Sequence, residues 1–210
     1  MQTNPMTATS TAPQLTSALD YFRQSAGQWQ SQRVTHHLAF RRAEVGESEI
    51  QVEMLEVTDP RLAEICQMYD IDPAAAAGGA LVTWKSLMAW DASEEDNHEG
   101  QTVMVIVPDA TDDRRGKLLR ERGYAETAPV AGEYHLDEEG GMVLTTEYET
   151  MSSVERFWFP NPDLRMRTSV LKRFGGFNTA TFCTEVRVGC DQSAVAAGGD
   201  REQAISALGW

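Results

Sequence analysis

The residues with the most chemistry in them lie near the C-terminal end of the chain. In a strand, alternate residues share a face. Within Leu164-Arg165-Met166-Arg167-Thr168-Ser169, Arg165, Arg167 and Ser169 therefore project together, while Leu164, Met166, Thr168 and Val170 project oppositely. Further on, Cys183, Glu185 and Arg187 share one face, opposite Phe182, Thr184, Val186 and Val188. Two neighbouring strands of this kind align a row of guanidinium groups with a carboxylate. Two placements are open. Either the row faces water and pairs across the strands, or it lines a barrel mouth where forked guanidinium groups clamp the carboxylates of a ligand. Trp84, Met88 and Trp90 share the face of Val82, and Trp158 and Phe159 lie close to the arginine row in sequence. An aromatic wall beside paired Arg and Glu residues suits a flat, conjugated, doubly acidic ligand, although each tryptophan taken singly also reads as core.

Other chemistries find little support. His36-His37 is the one histidine cluster, and adjacent strand residues face opposite ways, so the pair cannot hold a metal together. Cys66, Cys183 and Cys190 are far apart, odd in number and form no C-x-x-C, which argues against a disulfide framework or a zinc site. Cys66 and Cys183 read as small buried hydrophobes. Gly78-Gly79 and Gly175-Gly176 are turn pairs rather than phosphate loops, and there is no nucleophile elbow.

The elements that must position these residues are mostly strands. Ser17 to Ala26 carries Leu19, Phe22 and Ala26 at helical spacing before Gly27, and predicts a short helix. Asp59-Pro60 opens a second, Arg61 to Tyr69, with Asp59 as N-cap. Residues 29–42 and 48–57 alternate, the first with Val34, Leu38 and Phe40 on one face. Asp72 to Gly79 is a loop. Further strands are predicted at 80–90, 101–107, 116–124, 129–136, 142–150, 154–159, 164–174 and 179–188, most of them separated by acidic or Gly/Pro/Asn turns. About ten short strands joined by short connections must close on themselves or stack to dispose of their edges, and an antiparallel barrel does so directly. One domain over residues 15–189 is the economical organisation. Residues 1–14 and 190–210 have no core-facing pattern and read as disordered tails.

Composition sets the outer limits. The chain has 210 residues, 41% hydrophobic and 24% charged, with a formal charge of −14, so general binding to nucleic acid or to an anionic membrane surface is disfavoured. No run approaches the roughly 20 apolar residues of a membrane helix, and the N-terminus lacks the features of a secretory signal. The acidity is concentrated in Asp91 to Glu99 and Glu126 to Glu149, which read as solvated loops or as a negative surface that steers a basic partner.

Several stretches together resemble the S-type phycobiliprotein chromophore lyases of cyanobacteria and cryptophyte algae. They are Phe22 to Trp29 with Ser31-Gln32-Arg33, Leu118 to Glu126, Thr145-Thr146-Glu147-Tyr148-Glu149, Glu155 to Phe159, Leu164 to Ser169, and Phe182 to Arg187. The resemblance runs in order from about residue 18 to residue 188; Pro162-Asp163-Leu164-Arg165 replaces the family's Asn-Leu-Arg, which leaves the arginine row intact. It implies a calycin- or lipocalin-like, all-β antiparallel barrel, close to fatty-acid-binding proteins, with one or two short helices. It also implies an enzyme, a carbon–sulfur bond-forming bilin lyase, that takes phycocyanobilin or phycoerythrobilin as substrate and needs no prosthetic group. The bilin would pass to a cysteine of an apo-phycobiliprotein subunit as a thioether. By the family motif Glu155, Arg165 and Glu185 are expected to be catalytic. Arg165, Arg167, Ser169, Trp84, Trp90, Met88 and Trp158 are expected to bind bilin. The resemblance further points to a bilin reductase as a partner, to a homodimer or a heterodimer with a related lyase, and to a cyanobacterial cytoplasm or plastid stroma. The alternatives are a carrier that binds bilin or another acidic hydrophobe without transferring it, and one subunit of a hetero-oligomeric lyase.

Overall fold

In the computed structural model, residues 12–88, 98–121, 129–173 and 176–189 are described. The expected tails, apart from Ala12 to Gln14, lie outside them, as do Trp90 and Cys190. The strands are β1 (Gly27–His37), β2 (Arg42–Leu55), β3 (Gly78–Met88), β4 (His98–Asp109), β5 (Asp112–Arg120), β6 (Gly132–Leu136), β7 (Met142–Glu147), β8 (Met151–Asn161), β9 (Leu164–Arg173) and β10 (Gly176–Arg187). They form a closed antiparallel barrel in which each strand pairs with its neighbours in sequence and β1 joins β10. This is the ten-stranded barrel with two short helices expected above, and its closure gives each described strand a partner on both sides.

Helix α1 (Ala18–Ser25) starts where the Ser17 hydroxyl accepts a hydrogen bond from Asp20 N, 3.1 Å away. It stops at Gly27, whose φ of +118° favours glycine and where a Cβ would stand 2.9 Å from Arg187 Nη1. Its buried face, Ala18, Tyr21, Phe22 and Ser25, closes one end of the barrel. There it packs into a core with Trp29, Val52, Ala80, Ile106, Leu118, Tyr134, Leu144 and Phe159. Helix α2 (Pro60–Met68) has the expected cap, with Asp59 Oδ1 accepting from Arg61 N at 3.0 Å. It covers the outside of the barrel, seating Leu62, Ile65 and Cys66 on Leu55, Val103, Val105 and Leu119. Strand β4 is thus buried on both faces, which is why its sequence is an unbroken apolar run from Val103 to Val107.

The boundaries differ most from the sequence reading in two places. The charged stretch Asp112 to Arg115 is strand, joined to β4 by a two-residue turn, because closing the barrel requires the pairing and the charges are mostly exposed. Residues 38–41 are a turn, β2 begins at Arg42 rather than residue 48, and Leu38 and Phe40 point into solvent, 45% and 72% exposed. In β1 it is Trp29, Ser31 and Thr35 that are buried, and not the Val34 side.

Tyr21 generates a test of this packing. Burial pushes its phenol up to about 12 from 10.0, with Arg165 pulling it down and Glu185 adding to the rise. An unfolded chain ionises first as pH rises, so stability that is complete below about pH 10 is lost as pH climbs toward about 12, by roughly 2–3 kcal/mol for this one group. Urea unfolding from about pH 8 to about pH 11.5 should show the decline in the parent and a shallower one in Tyr21→Phe. Equal slopes would mean that the phenol is solvated.

Candidate functional site

The site is built by cross-strand register. Strands β8, β9, β10 and β1 lie side by side, and their inward residues form rows. One row runs Glu155, Ser169, Thr181, Thr35; the next runs Phe157, Arg167, Cys183, Arg33; a third brings Arg165, Glu185 and Ser31 together; Arg187 and Trp29 follow. The alternation that the sequence suggests for β9 and β10 therefore faces the lumen, and the water-facing placement of the row does not hold. Arg165 is 7% exposed and Glu185 2%, and the Arg165 Nε donates to Glu185 Oε2 in a short ion pair. The Ser31 hydroxyl approaches the other carboxylate oxygen at 3.5 Å.

Arg167 lies one step along the lumen. Its Nη1 stands 3.7 Å from Glu155 Oε1, its Nη2 donates to Cys183 Sγ at 3.3 Å, and its Cζ lies 5.8 Å from the Phe157 ring centre. Burial pulls its pKa down, but Cys183, Glu155 and Glu185 together outweigh this and raise it. Its Nε is buried without an acceptor among the described residues. Among the described residues the Arg165 guanidinium is engaged by Glu185 through its Nε. Burial also pushes the Cys183 thiol up, against the pull of Arg167, so it stays protonated at neutral pH.

The other expected residues separate. Ser169 is in the row, two steps along β9 from Arg167. Trp84 has the inward parity of Ala80 and Val82 and lies over Gly100, its partner on β4, where a Cβ would stand 2.4 Å from the indole. Trp158 is not in the lumen. It pairs with Met166 on the outer face, under the Arg156 guanidinium at 4.8 Å and edge-on to Phe182, while its neighbour Phe157 points inward. Arg156 is held there by Asp137 and Glu139, both at 2.6 Å. The Met88 side chain and the whole of Trp90 are outside what the structure describes.

Sequence reasoning missed Arg33, Ser31, Trp29 and Tyr21 as neighbours of the row. The period-two run Trp29-Ser31-Arg33-Thr35 was the available signal. Arg33, Arg165 and Arg167 thus come together with Glu155 and Glu185 on neighbouring strands. Among the described residues, no group of three or more His, Cys, Asp or Glu could hold a metal ion.

Removing one member of the Arg165–Glu185 pair leaves a buried charge uncompensated, at a cost of about 3–5 kcal/mol. Arg165→Leu should therefore destabilise strongly, and Arg165→Leu with Glu185→Leu should regain most of the loss in urea unfolding. Additive losses would contradict the coupling.

Comparison with known proteins bears on the family and the fold. A family model described as CpeS-like protein matches residues 17–188. The chain is 61% identical over 193 residues to the phycocyanobilin lyase subunit CpcS of Picosynechococcus sp., covering 92% of this chain and 97% of that one. It is 63% identical over 171 residues to chromophore lyase CpcS/CpeS 2 of Synechocystis sp., covering 81% and 88%. The solved structure of the S-type phycobiliprotein lyase CpeS from Guillardia theta superposes with a TM-score of 0.73 at 34% identity, over 83% of this chain and 94% of that one. With the match running across the whole barrel, the chain belongs to the CpeS-like family.

Proposed function

We propose that the protein is a bilin lyase: it binds an open-chain tetrapyrrole in the barrel lumen and delivers it to a cysteine of an apo-phycobiliprotein subunit. The observation that carries this reading is the buried Arg165–Glu185–Arg167 cluster, with an orphaned Arg167 Nε, in a lumen towards which Trp84 has inward parity. The bilin's two propionates pair with the forked guanidinium groups of Arg165 and Arg167. Its pyrrole N–H groups donate to Glu185 and Glu155, which favours the protonated ring system. A protonated tetrapyrrole is the better electrophile. The acceptor's sulfur adds to the ethylidene carbon of ring A, the displaced electron pair enters the conjugated system, and a proton completes the addition with no change of redox state.

The lumen contributes mostly placement: it fixes one face of ring A and keeps water from the reactive carbon. Cys183, the thiol in the row, is held protonated and paired to Arg167, so it competes poorly with the acceptor. Phycocyanobilin or phycoerythrobilin is the substrate class, supplied by a bilin reductase, in a cyanobacterial cytoplasm or plastid stroma. The first relative is named as a lyase subunit, which favours a pairing of this chain with a second, related chain.

Co-expression with bilin-synthesis enzymes and candidate acceptor subunits, followed by zinc-enhanced fluorescence of a denaturing gel, tests the assignment. The acceptor band should fluoresce and this chain's band should not. Arg165→Lys keeps the charge but loses the fork, and should weaken bilin binding by roughly 1–3 kcal/mol. Fluorescence that stays on this chain, or an acceptor that remains dark with every second subunit supplied, would overturn the delivery reading.

A further inference from the structure

The Arg165 guanidinium is constrained from two sides. One side is Glu185. The other is Trp29, which is 0% exposed and whose indole centre lies 4.8 Å from Arg165 Cζ. The indole is itself fixed. Its Nε1 donates to Ser25 O at 2.8 Å, which ties the ring to the last turn of α1. A second guanidinium, that of Arg187, lies over the same ring at 4.3 Å. Arg187 donates from Nη1 to Ala26 O at 2.6 Å and from Nη2 to Gln24 O at 2.7 Å and Pro162 O at 3.1 Å, while its Nε meets Asp163 Oδ1 at 3.1 Å. Each cation thus has its own carboxylate, and the indole is shared by two ion pairs. One joins the helix end to the β8–β9 turn; the other faces the lumen.

We infer that Trp29, latched by Arg187 and the Ser25 carbonyl, is a positioning residue for the transfer reaction, holding Arg165 where its terminal nitrogens meet a ligand acid group. The inference rests on the placement of the bilin proposed above. An arginine reaching from a strand has several rotatable bonds, and the one hydrogen bond to Glu185 seen among the described residues leaves rotation about it free. The flat indole removes this freedom, because a guanidinium over an aromatic face has a preferred distance and stacking plane. The same contact links ligand binding to the seating of α1, since any shift of the helix end moves the ring that Arg165 rests on.

The experiment compares Trp29→Leu, Trp29→Phe, Arg187→Lys and Arg165→Lys for thermal stability, phycocyanobilin affinity and the absorption spectrum of the bound bilin. Trp29→Leu should weaken the affinity of the folded fraction by about tenfold or more and shift the bound spectrum in the same sense as Arg165→Lys. Combined with Arg165→Lys, it should add little. Trp29→Phe retains a ring face and should recover most of the affinity. Should Trp29→Leu fail to fold, Arg187→Lys carries the test, with an expected loss of about three- to tenfold and the same spectral shift. A purely structural role lowers stability but leaves the affinity and spectrum of the folded protein at parental values, and that result in both Trp29→Leu and Arg187→Lys, or in Arg187→Lys alone if the first does not fold, would overturn the inference. Parental binding by Arg165→Lys would instead remove the proposed site, and the positioning role with it.

Discussion

Two charges withdrawn from water cost several kcal/mol each unless their partners are close and their remaining hydrogen-bonding groups are answered. Arg165 and Glu185 meet this constraint inside a barrel wall, on directly paired residues of β9 and β10. Much of the interior is arranged around that pair. Ser31 approaches the free oxygen of Glu185, Trp29 covers the guanidinium, and Arg167 with Glu155 repeats the motif one step further along the lumen. A core built for stability alone would use apolar side chains of the same volume, which are often as stable or more so. Under the proposed function the charges serve to attract and orient an acidic, conjugated molecule, whose acid groups would supply the acceptor that the buried Arg167 Nε lacks among the described residues.

The fold divides the labour by position. Helix α1 and the aromatic cluster of Tyr21, Phe22 and Phe159 close one end and form the dry part of the core. Helix α2 thickens the wall outside β4 without touching the lumen row. Because the strands run as a simple meander, the rows of inward residues come from consecutive strands, and the charged cluster is assembled from β8, β9, β10 and β1, where the closure joins. On the outer face of the same strands, Trp158, Phe182 and the pinned Arg156 form a separate surface with the opposite parity.

Much of this was legible in the residues. The helical spacing of Leu19, Phe22 and Ala26 before Gly27, the cap at Asp59 and the turn residues between apolar runs located both helices and all ten strands, because these signals are local. The Asp112 to Arg115 strand was not legible, since four charges in succession carry no alternation and only the closure of the barrel recruits them. Alternation in β9 and β10 identified which arginines and which glutamate act together, but could not say whether their face was inside; register with β1 and the burial of Glu185 decide that. Arg33 was passed over because β1 was read along its Val34 side. Trp158 was placed in the site on closeness in sequence, which in a strand is a poor guide: its neighbour Phe157 has the inward position.

The central claim is that the guanidinium row grips the acid groups of the bilin. It is tested most directly by comparing phycocyanobilin with its dimethyl ester, which keeps the conjugated system and removes both negative charges. Titrations should show the ester binding the parent at least about tenfold more weakly, as expected when a desolvated charge-assisted pair is lost. The difference should narrow but persist in the Arg165→Lys, Arg167→Lys double variant, which keeps both charges and loses both forks. Equal affinity of acid and ester for the parent would contradict the account, because the row would then take no part in holding the ligand.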